Sequence, residues 1–314
     1  MKLFNRILSL LLCFTVLPLC GCGSVGNTEN TTSPDQQGYV DPGTTITDGK
    51  VLKVLAITSS FGLNTTELLH EIAVAEGAEQ VIVARLYASG CTLETHVNNL
   101  TNNLGGYEYT KKVDGGFKKI TDATMLYGLQ DEDWDVIFMQ QSAARAGQVD
   151  TYKDYVDTLI DFVLKNKTNP NARLVWNMTW AYDQNTEQKV FAEYGSDQMT
   201  MYNAIVNATK EKAVPHKEFA AIIPSGTAIQ NARTYYGDVL TKDTFHLNDL
   251  GRVIAGYTMY ATLTGKELTK ISLDQVKTTD FTTPTELTET DKQVIIKAVN
   301  AALKDPFTVT NIAP

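Results

Sequence analysis

Short, nearly unbroken apolar runs alternate with longer amphipathic segments from residue 51 onward. The first run, residues 51–57, is rich in Val, Leu and Ile, which predicts a strand buried on both faces, as in a parallel sheet. Thr58, Ser59, Ser60 and Phe61 follow, and Asn64 and Thr65 are candidate caps for the next helix. Residues 80–87 read as a second strand, 88–92 as the turn after it, and 93–103 as a helix. Residues 107–120 alternate around Asp114-Gly115-Gly116, the signal of an antiparallel hairpin. A short helix is expected over 121–129, capped by Thr121 or Asp122. Strands are then predicted at 134–139, 173–178 and 219–224, and helices at 152–164, 196–212, 249–264 and 291–303, with another starting at Ser225. The Thr-rich stretch 278–290 reads as a loop wrapping back before the last helix. Strand and helix in alternation predict one α/β domain over 50–314, with a mainly parallel sheet covered on both faces.

The chain before residue 50 follows none of these periods. Lys2 and Arg6 precede an apolar run over 7–19 that is short for a bilayer span and the right length for a signal-peptide core. Leu19-Cys20-Gly21-Cys22 resembles a bacterial lipobox, which implies a signal peptide over 1–21, cleavage before Cys22 and acylation of Cys22. Leu17-Pro18-Leu19-Cys20 competes less well, because bulky Leu19 stands where a small residue is wanted. Residues 22–49 are rich in Ser, Asn, Thr, Gly and Asp and read as a flexible tether. The localisation expected is the bacterial cell envelope, exported and held by lipid chains.

Composition narrows the partners. The formal net charge is -9, and removing the segment that holds Lys2 and Arg6 leaves about -11. No basic patch interleaved with aromatics occurs, so nucleic acid is not an expected partner. Of four cysteines, only Cys91 lies beyond the leader and the lipobox, so no intrachain disulfide framework is expected.

The chemistry sits at predicted strand ends, where open α/β sheets bind ligands. Ser59-Ser60 follows the first strand, Ser89-Gly90 the second, and Gln140-Gln141 the third. Near the end of the chain comes Asp243-Thr244-Phe245-His246. Asp and His three residues apart can set a carboxylate against one imidazole nitrogen and leave the other as a base. A serine hydroxyl is a poor nucleophile until such a base takes its proton.

Together these stretches resemble the SGNH hydrolase superfamily (GDSL-type esterases) and, more closely, its DUF4886 branch. The resemblance is carried by residues 54–61, 86–96, 134–141, 179–182, 223–233 and 243–247, covering nearly the whole folded chain in order. It implies a three-layer α/β/α, flavodoxin-like fold and a serine esterase removing acyl groups, most plausibly acetyl, from carbohydrate without a cofactor or metal. It implies Ser60 as nucleophile, His246 as base and then acid, and Asp243 as its orienter. The oxyanion donors would be the N–H groups of Ser60 and Gly90 and the side-chain amide of Gln140, with Gln141 as the alternative. The family pattern places Gly-Asn-Ser before the Phe, where this chain has Thr58-Ser59-Ser60. Thr is β-branched and resists positive φ, so either the turn is differently shaped or activity is reduced. That departure motivates a second reading, a non-catalytic surface glycan-binding lipoprotein on the same fold.

Other residues have two readings each. His96 either lines the pocket or is a structural histidine, while His70 and His216 read as surface residues. Cys91 is placed as a small buried hydrophobe rather than a nucleophile. Trp180 and Tyr182 form either a sugar-stacking wall or core packing. Arg233 recognises a carboxylate or caps a loop.

Overall fold

The computed structural model describes residues 45–114, 116–280 and 283–313. The leader, Cys22 and the tether up to residue 44 lie outside the described residues. The elements run β1 (Val51–Thr58), α1 (Ser60–Thr66), α2 (Leu69–Ala75), β2 (Gln80–Tyr87), α3 (Leu93–Thr101), β3 (Tyr107–Val113), β4 (Gly116–Ala123), α4 (Met125–Gln130) and β5 (Val136–Met139). There follow α5 (Tyr155–Asn166), β6 (Arg173–Asn177), α6 (Gln198–Lys212), β7 (Phe219–Ile223), α7 (Ser225–Tyr236), α8 (Asp249–Thr264), β8 (Gln275–Val276), β9 (Thr285–Glu286) and α9 (Glu289–Lys304).

Seven strands form the central sheet in the order β4-β3-β2-β1-β5-β6-β7. β2, β1, β5, β6 and β7 are parallel, while β3 and β4 add an antiparallel hairpin at one edge. The parallel strands, counted along the chain, stand in the order 2-1-3-4-5, which is the flavodoxin-like order. α3, α4 and α5 contact one another in one layer, and α1, α2, α7, α8 and α9 pack together in another. The result is the expected three-layer α/β/α fold. β1 is buried along nearly its whole length and β5 throughout, as their unbroken apolar sequences require.

The strand order reverses between β1 and β5, so crossovers leave that point in opposite directions and open a crevice above the carboxyl ends. Ser59-Ser60 ends β1 and Gln140 ends β5 at this crevice. Asn177 closes β6, and Ser225 follows β7.

Two helix starts differ from the sequence expectation. The first helix begins at Ser60, not beyond Asn64, because the chain stays extended through Ser59 (φ -108, ψ -165) and turns directly into α1. Asn64 is buried inside α1 and caps nothing; its Oδ1 instead accepts the N–H of Leu247 at 2.9 Å. The short helix after the hairpin begins at Met125, because β4 continues to Ala123 and Thr124 supplies the cap, accepting from Tyr127 N–H. Asp122, a candidate cap by sequence, lies in that strand at φ 57.

Gly62 explains how α1 can start so tightly. An added Cβ there would lie 1.8 Å from Thr58 Oγ1 and 2.9 Å from Phe138 Cε1. The missing side chain at 62 is therefore filled by the β-branched side chain at 58. We predict that Gly62→Ala lowers stability by about 1–3 kcal/mol, the usual cost of overpacking. Adding Thr58→Gly should recover part of that loss, since the two changes share one space. Chemical denaturation of the two variants checks this, and native stability in Gly62→Ala alone would contradict it.

Candidate active site

The turn that carries Ser60 is built by extended backbone running straight into a helix. Ser60 is the first residue of α1, where an N–H has no acceptor within its own helix. Thr58 is absent from the residues with positive φ, so its β-branched side chain meets no backbone penalty. Its hydroxyl donates to Ser59 O at 3.0 Å, holding the peptide ahead of Ser60. The turn thus tolerates Thr58-Ser59 by taking ordinary backbone angles.

The histidine arrives on a loop before α8, closed by a bridge between Thr241 and Leu247. His246 Nε2 lies 2.9 Å from Ser60 Oγ, and Nδ1 lies 2.8 Å from Asp243 Oδ2. Asp243 Oδ1 also accepts the His246 N–H at 2.7 Å. Burial works against the Asp243 carboxylate, but the hydrogen bonds from the His246 ring and backbone outweigh it and hold its pKa below the usual value. An ionised Asp243 can only accept, so the proton belongs on Nδ1, leaving Nε2 to accept from the Ser60 hydroxyl.

Between these two residues Thr244 sits at φ 72, a strained conformation for a β-branched side chain. Asp183 N–H holds the Thr244 carbonyl at 2.8 Å, and the Thr186 and Thr244 hydroxyls meet at 2.9 Å. Asp183 is itself fixed by Arg233, whose Nη2 donates to Oδ1 at 2.6 Å, and by the Thr241 hydroxyl on Oδ2. Arg233 Nη1 also donates to Ala181 O at 3.0 Å, and Nε lies 2.9 Å from Asp238 Oδ1 at an angle too poor for a hydrogen bond. Arg233 is buried, so it braces this loop and is not presented to a solvent-borne carboxylate.

An aromatic cluster joins the two loops. The Phe61 ring stacks on Trp180 with centroids 4.2 Å apart and an interplanar angle of 7°. Phe61 also meets the edge of His246 at 5.8 Å, and Phe245 packs on His246 at 4.1 Å. Trp180 Nε1 donates to Phe245 O at 2.8 Å. Trp180 and Tyr182 are buried in this cluster, so they are core packing and not an open stacking wall.

Gly90 takes φ 60 in the turn after β2, which is fastened to β1 by Ala88 N–H on Thr58 O at 3.2 Å. The Gln140 side chain donates from Nε2 to Ser59 Oγ at 3.4 Å. Gln141 points elsewhere: its Oε1 accepts the N–H groups of Leu93 and Ser142, and its Nε2 faces Thr151. Of the two glutamines, only Gln140 therefore has its amide on the serine turn. Sequence reasoning did not single out Asp183 or Asn177, took Asn64 for a helix cap and Ser225 for a helix start, and gave Thr244 no role of its own. Their signals are a buried polar side chain or an unusual φ, neither of which exists before the chain folds.

The remaining candidates are structural. Cys91 is buried and its thiol is pushed up to about 12 by that burial, which keeps it protonated and unreactive at neutral pH. His96 is buried against Tyr107, with Nδ1 at 2.9 Å from the phenol oxygen and the rings nearly parallel. His70 and His216 pair with Asp114 and Asp157.

The sequence matches the DUF4886 family, described as a domain of unknown function, over residues 53–290. No curated protein matches it. A solved DUF4886 protein from Bacteroides uniformis ATCC 8492 is 34% identical, with a TM-score of 0.75, covering 83% of this chain and 98% of that one. The lipase/acylhydrolase from Enterococcus faecalis (16% identity, TM-score 0.43, covering 68% and 96%) is a far more distant likeness. So is Axe2, an acetylxylan esterase from Geobacillus stearothermophilus (11%, 0.38, 70% and 96%).

The buried imidazole of His96 gives the fold an acid-sensitive point. Burial lowers its pKa from 6.5 to about 4. The unfolded chain takes up this proton at the higher pH and the folded chain only at the lower, so the contribution is intact above 6.5 and is lost as pH falls toward 4. We predict that native stability declines across that interval and that His96→Gln declines less steeply. Urea midpoints measured against pH check this, and parallel curves for the two proteins would contradict it.

Proposed function

The chain belongs to the DUF4886 family, and from that premise we propose that it is a serine ester hydrolase working through Ser60, His246 and Asp243. The observation that carries the proposal is the continuous hydrogen-bonded line from Ser60 Oγ through both nitrogens of one imidazole to a carboxylate. In this reading Ser60 Oγ attacks the ester carbonyl carbon while its proton passes to His246 Nε2. Asp243 holds the imidazole in place and offsets the positive charge it gains. The tetrahedral oxyanion is met by the N–H groups of Ser60 and Gly90 and by Gln140 Nε2, each such donor being worth about 2.7–4 kcal/mol when removed singly. Collapse expels the alcohol, which takes the proton from His246 and leaves Ser60 acylated. Water then attacks the acyl carbon as His246 takes its proton, and the acid and free Ser60 are released.

The finer reading is that the acyl group is acetyl and the alcohol a carbohydrate, with the enzyme tethered to the envelope by acylated Cys22. It draws on the resemblance to SGNH esterases and on the leader and lipobox in the sequence. The binding-only reading rests on Thr58-Ser59, and the ordinary backbone angles of that turn support the hydrolase reading over it.

A fluorophosphonate probe should label Ser60, and Ser60→Ala should abolish both labelling and hydrolysis of short-chain p-nitrophenyl and sugar acetates. Ser59→Ala should weaken them modestly. His246→Ala and Asp243→Ala should each cost several orders of magnitude in kcat, with the double variant little worse than His246→Ala, because the residues act as a unit. Nearly full kcat in folded His246→Ala would overturn the assignment. The intact mass of the protein from membranes reports separately on Cys22, and an unacylated protein starting elsewhere would remove the anchor.

A further inference from the structure

Below the proposed oxyanion site runs a line of buried polar side chains reaching across four strand ends. Ser225 Oγ donates to Asn177 Oδ1 at 2.7 Å, and Asn177 Nδ2 donates to Gln140 Oε1 at 3.0 Å. Gln140 Nε2 then donates to Ser59 Oγ at 3.4 Å. All four residues are buried, with exposures of 0%, 1%, 2% and 3% from Ser225 to Ser59. Asn177 Nδ2 also reaches Thr65 Oγ1 at 3.4 Å, and the Thr65 hydroxyl donates to the carbonyl of Phe61 at 3.2 Å.

An amide side chain could in principle sit in this line either way round, and the two orientations present opposite groups to the serine turn. The Phe61 carbonyl decides between them, because a carbonyl can only accept. Thr65 must therefore spend its one proton on Phe61, which leaves its oxygen as an acceptor. Its partner on Asn177 has to be the NH2 group, so Asn177 Oδ1 faces Ser225 and the second amide proton faces Gln140. Gln140 answers with Oε1, which turns its own NH2 group toward Ser59 on the serine turn. Reversing either amide alone would set like groups against each other in a buried site, where an unmade hydrogen bond costs about 1–3 kcal/mol, and reversing both would take the Thr65 proton away from the Phe61 carbonyl.

We propose that Asn177 is a positioning residue that locks the Gln140 amide with its N–H toward the oxyanion, through the polarity fixed at the Phe61 carbonyl. The proposal rests on the hydrolase reading above, since it gives Gln140 an oxyanion to meet. Asn177 need touch neither substrate nor nucleophile. It acts by excluding the orientation in which Gln140 would offer a carbonyl oxygen to a developing negative charge.

Asn177→Asp tests this, because a carboxylate at 177 can only accept and would draw Gln140 Nε2 toward itself. Relative to the native protein, kcat on p-nitrophenyl acetate should fall on the order of 100- to 1,000-fold, the range seen for loss of one oxyanion donor, with KM changed little. In a Gln140→Ala background the same substitution should cost almost nothing more, since both act through one amide. Should Asn177→Asp fail to fold, Asn177→Ala gives the same cycle with a smaller loss, as Gln140 is then free to take either orientation. An equal loss in both backgrounds, or no loss in the native one, overturns the lock. Independently of activity, the Gln140 side-chain amide protons should show nuclear Overhauser contacts to Ser59 in the native protein and lose them in Asn177→Asp. If those contacts are present and switch while native protein hydrolyses no ester, the lock stands and the hydrolase reading falls. If hydrolysis is robust and the contacts are absent or unchanged, the lock falls alone.

Discussion

The Phe61 ring lying flat on Trp180 is the contact on which the rest of the site depends. Phe61 is the next residue after Ser60, and Trp180 holds the carbonyl of Phe245, the residue before His246. One buried stack therefore joins two loops separated by most of the folded chain and brings Nε2 onto Oγ. The stack also seals the cluster: Phe61 and Trp180 are fully buried, while Ser60 and His246 remain partly open at its edge. Aromatic pairs of this kind contribute about 0.5–1.5 kcal/mol beyond their burial, a modest energy for fixing so large a fraction of the geometry. Asn64 adds a second tie between the same loops by accepting the N–H of Leu247.

Around that contact the chain commits charged groups to holding backbone rather than to meeting solvent. Arg233 and Asp183 pair under the histidine loop, and Asp183 then holds Thr244 in its left-handed conformation. Arg252 near the start of α8 pairs with Glu67 and Asp280, and Lys242 beside the triad aspartate also pairs with Asp280. Asp249 accepts from the hydroxyls of Thr278 and Thr285. Thr278 and Thr285 thus tie the Thr-rich stretch to the start of α8 through their hydroxyls. The Arg233 and Arg252 pairs are costly to break singly, because each break would strand a buried guanidinium, so the loop that carries His246 has little freedom to drift from Ser60.

The sheet and its helices were legible in the sequence because burial on both faces leaves a mark that composition cannot hide, the unbroken apolar runs of β1, β5, β6 and β7. The residues brought together at Ser60 were legible for a different reason: the roles proposed for Ser60, His246 and Asp243 call for particular residue types, and their order along the chain resembles a known pattern. What stayed hidden was everything that depends on which side chains meet once the chain has folded. Gly62 reads as a weak point in a helix until Thr58 is seen to fill its space. Thr58 looked unfit for its turn because the sequence does not say where positive φ falls; Thr58 avoids it, whereas Thr244 on the other loop adopts it. Asn177 and Ser225 are unremarkable strand-end residues until β6 and β7 bring them beneath Gln140.

The central claim is that one serine, one histidine and three converging donors form a site built for a tetrahedral oxyanion. The most direct measurement is a crystal structure of the protein after reaction with a dialkyl p-nitrophenyl phosphate. The account predicts phosphorus bonded to Ser60 Oγ, with the phosphoryl oxygen about 2.7–3.1 Å from the N–H groups of Ser60 and Gly90 and from Gln140 Nε2. An adduct on another residue, or a phosphoryl oxygen turned to solvent away from all three donors, would contradict it.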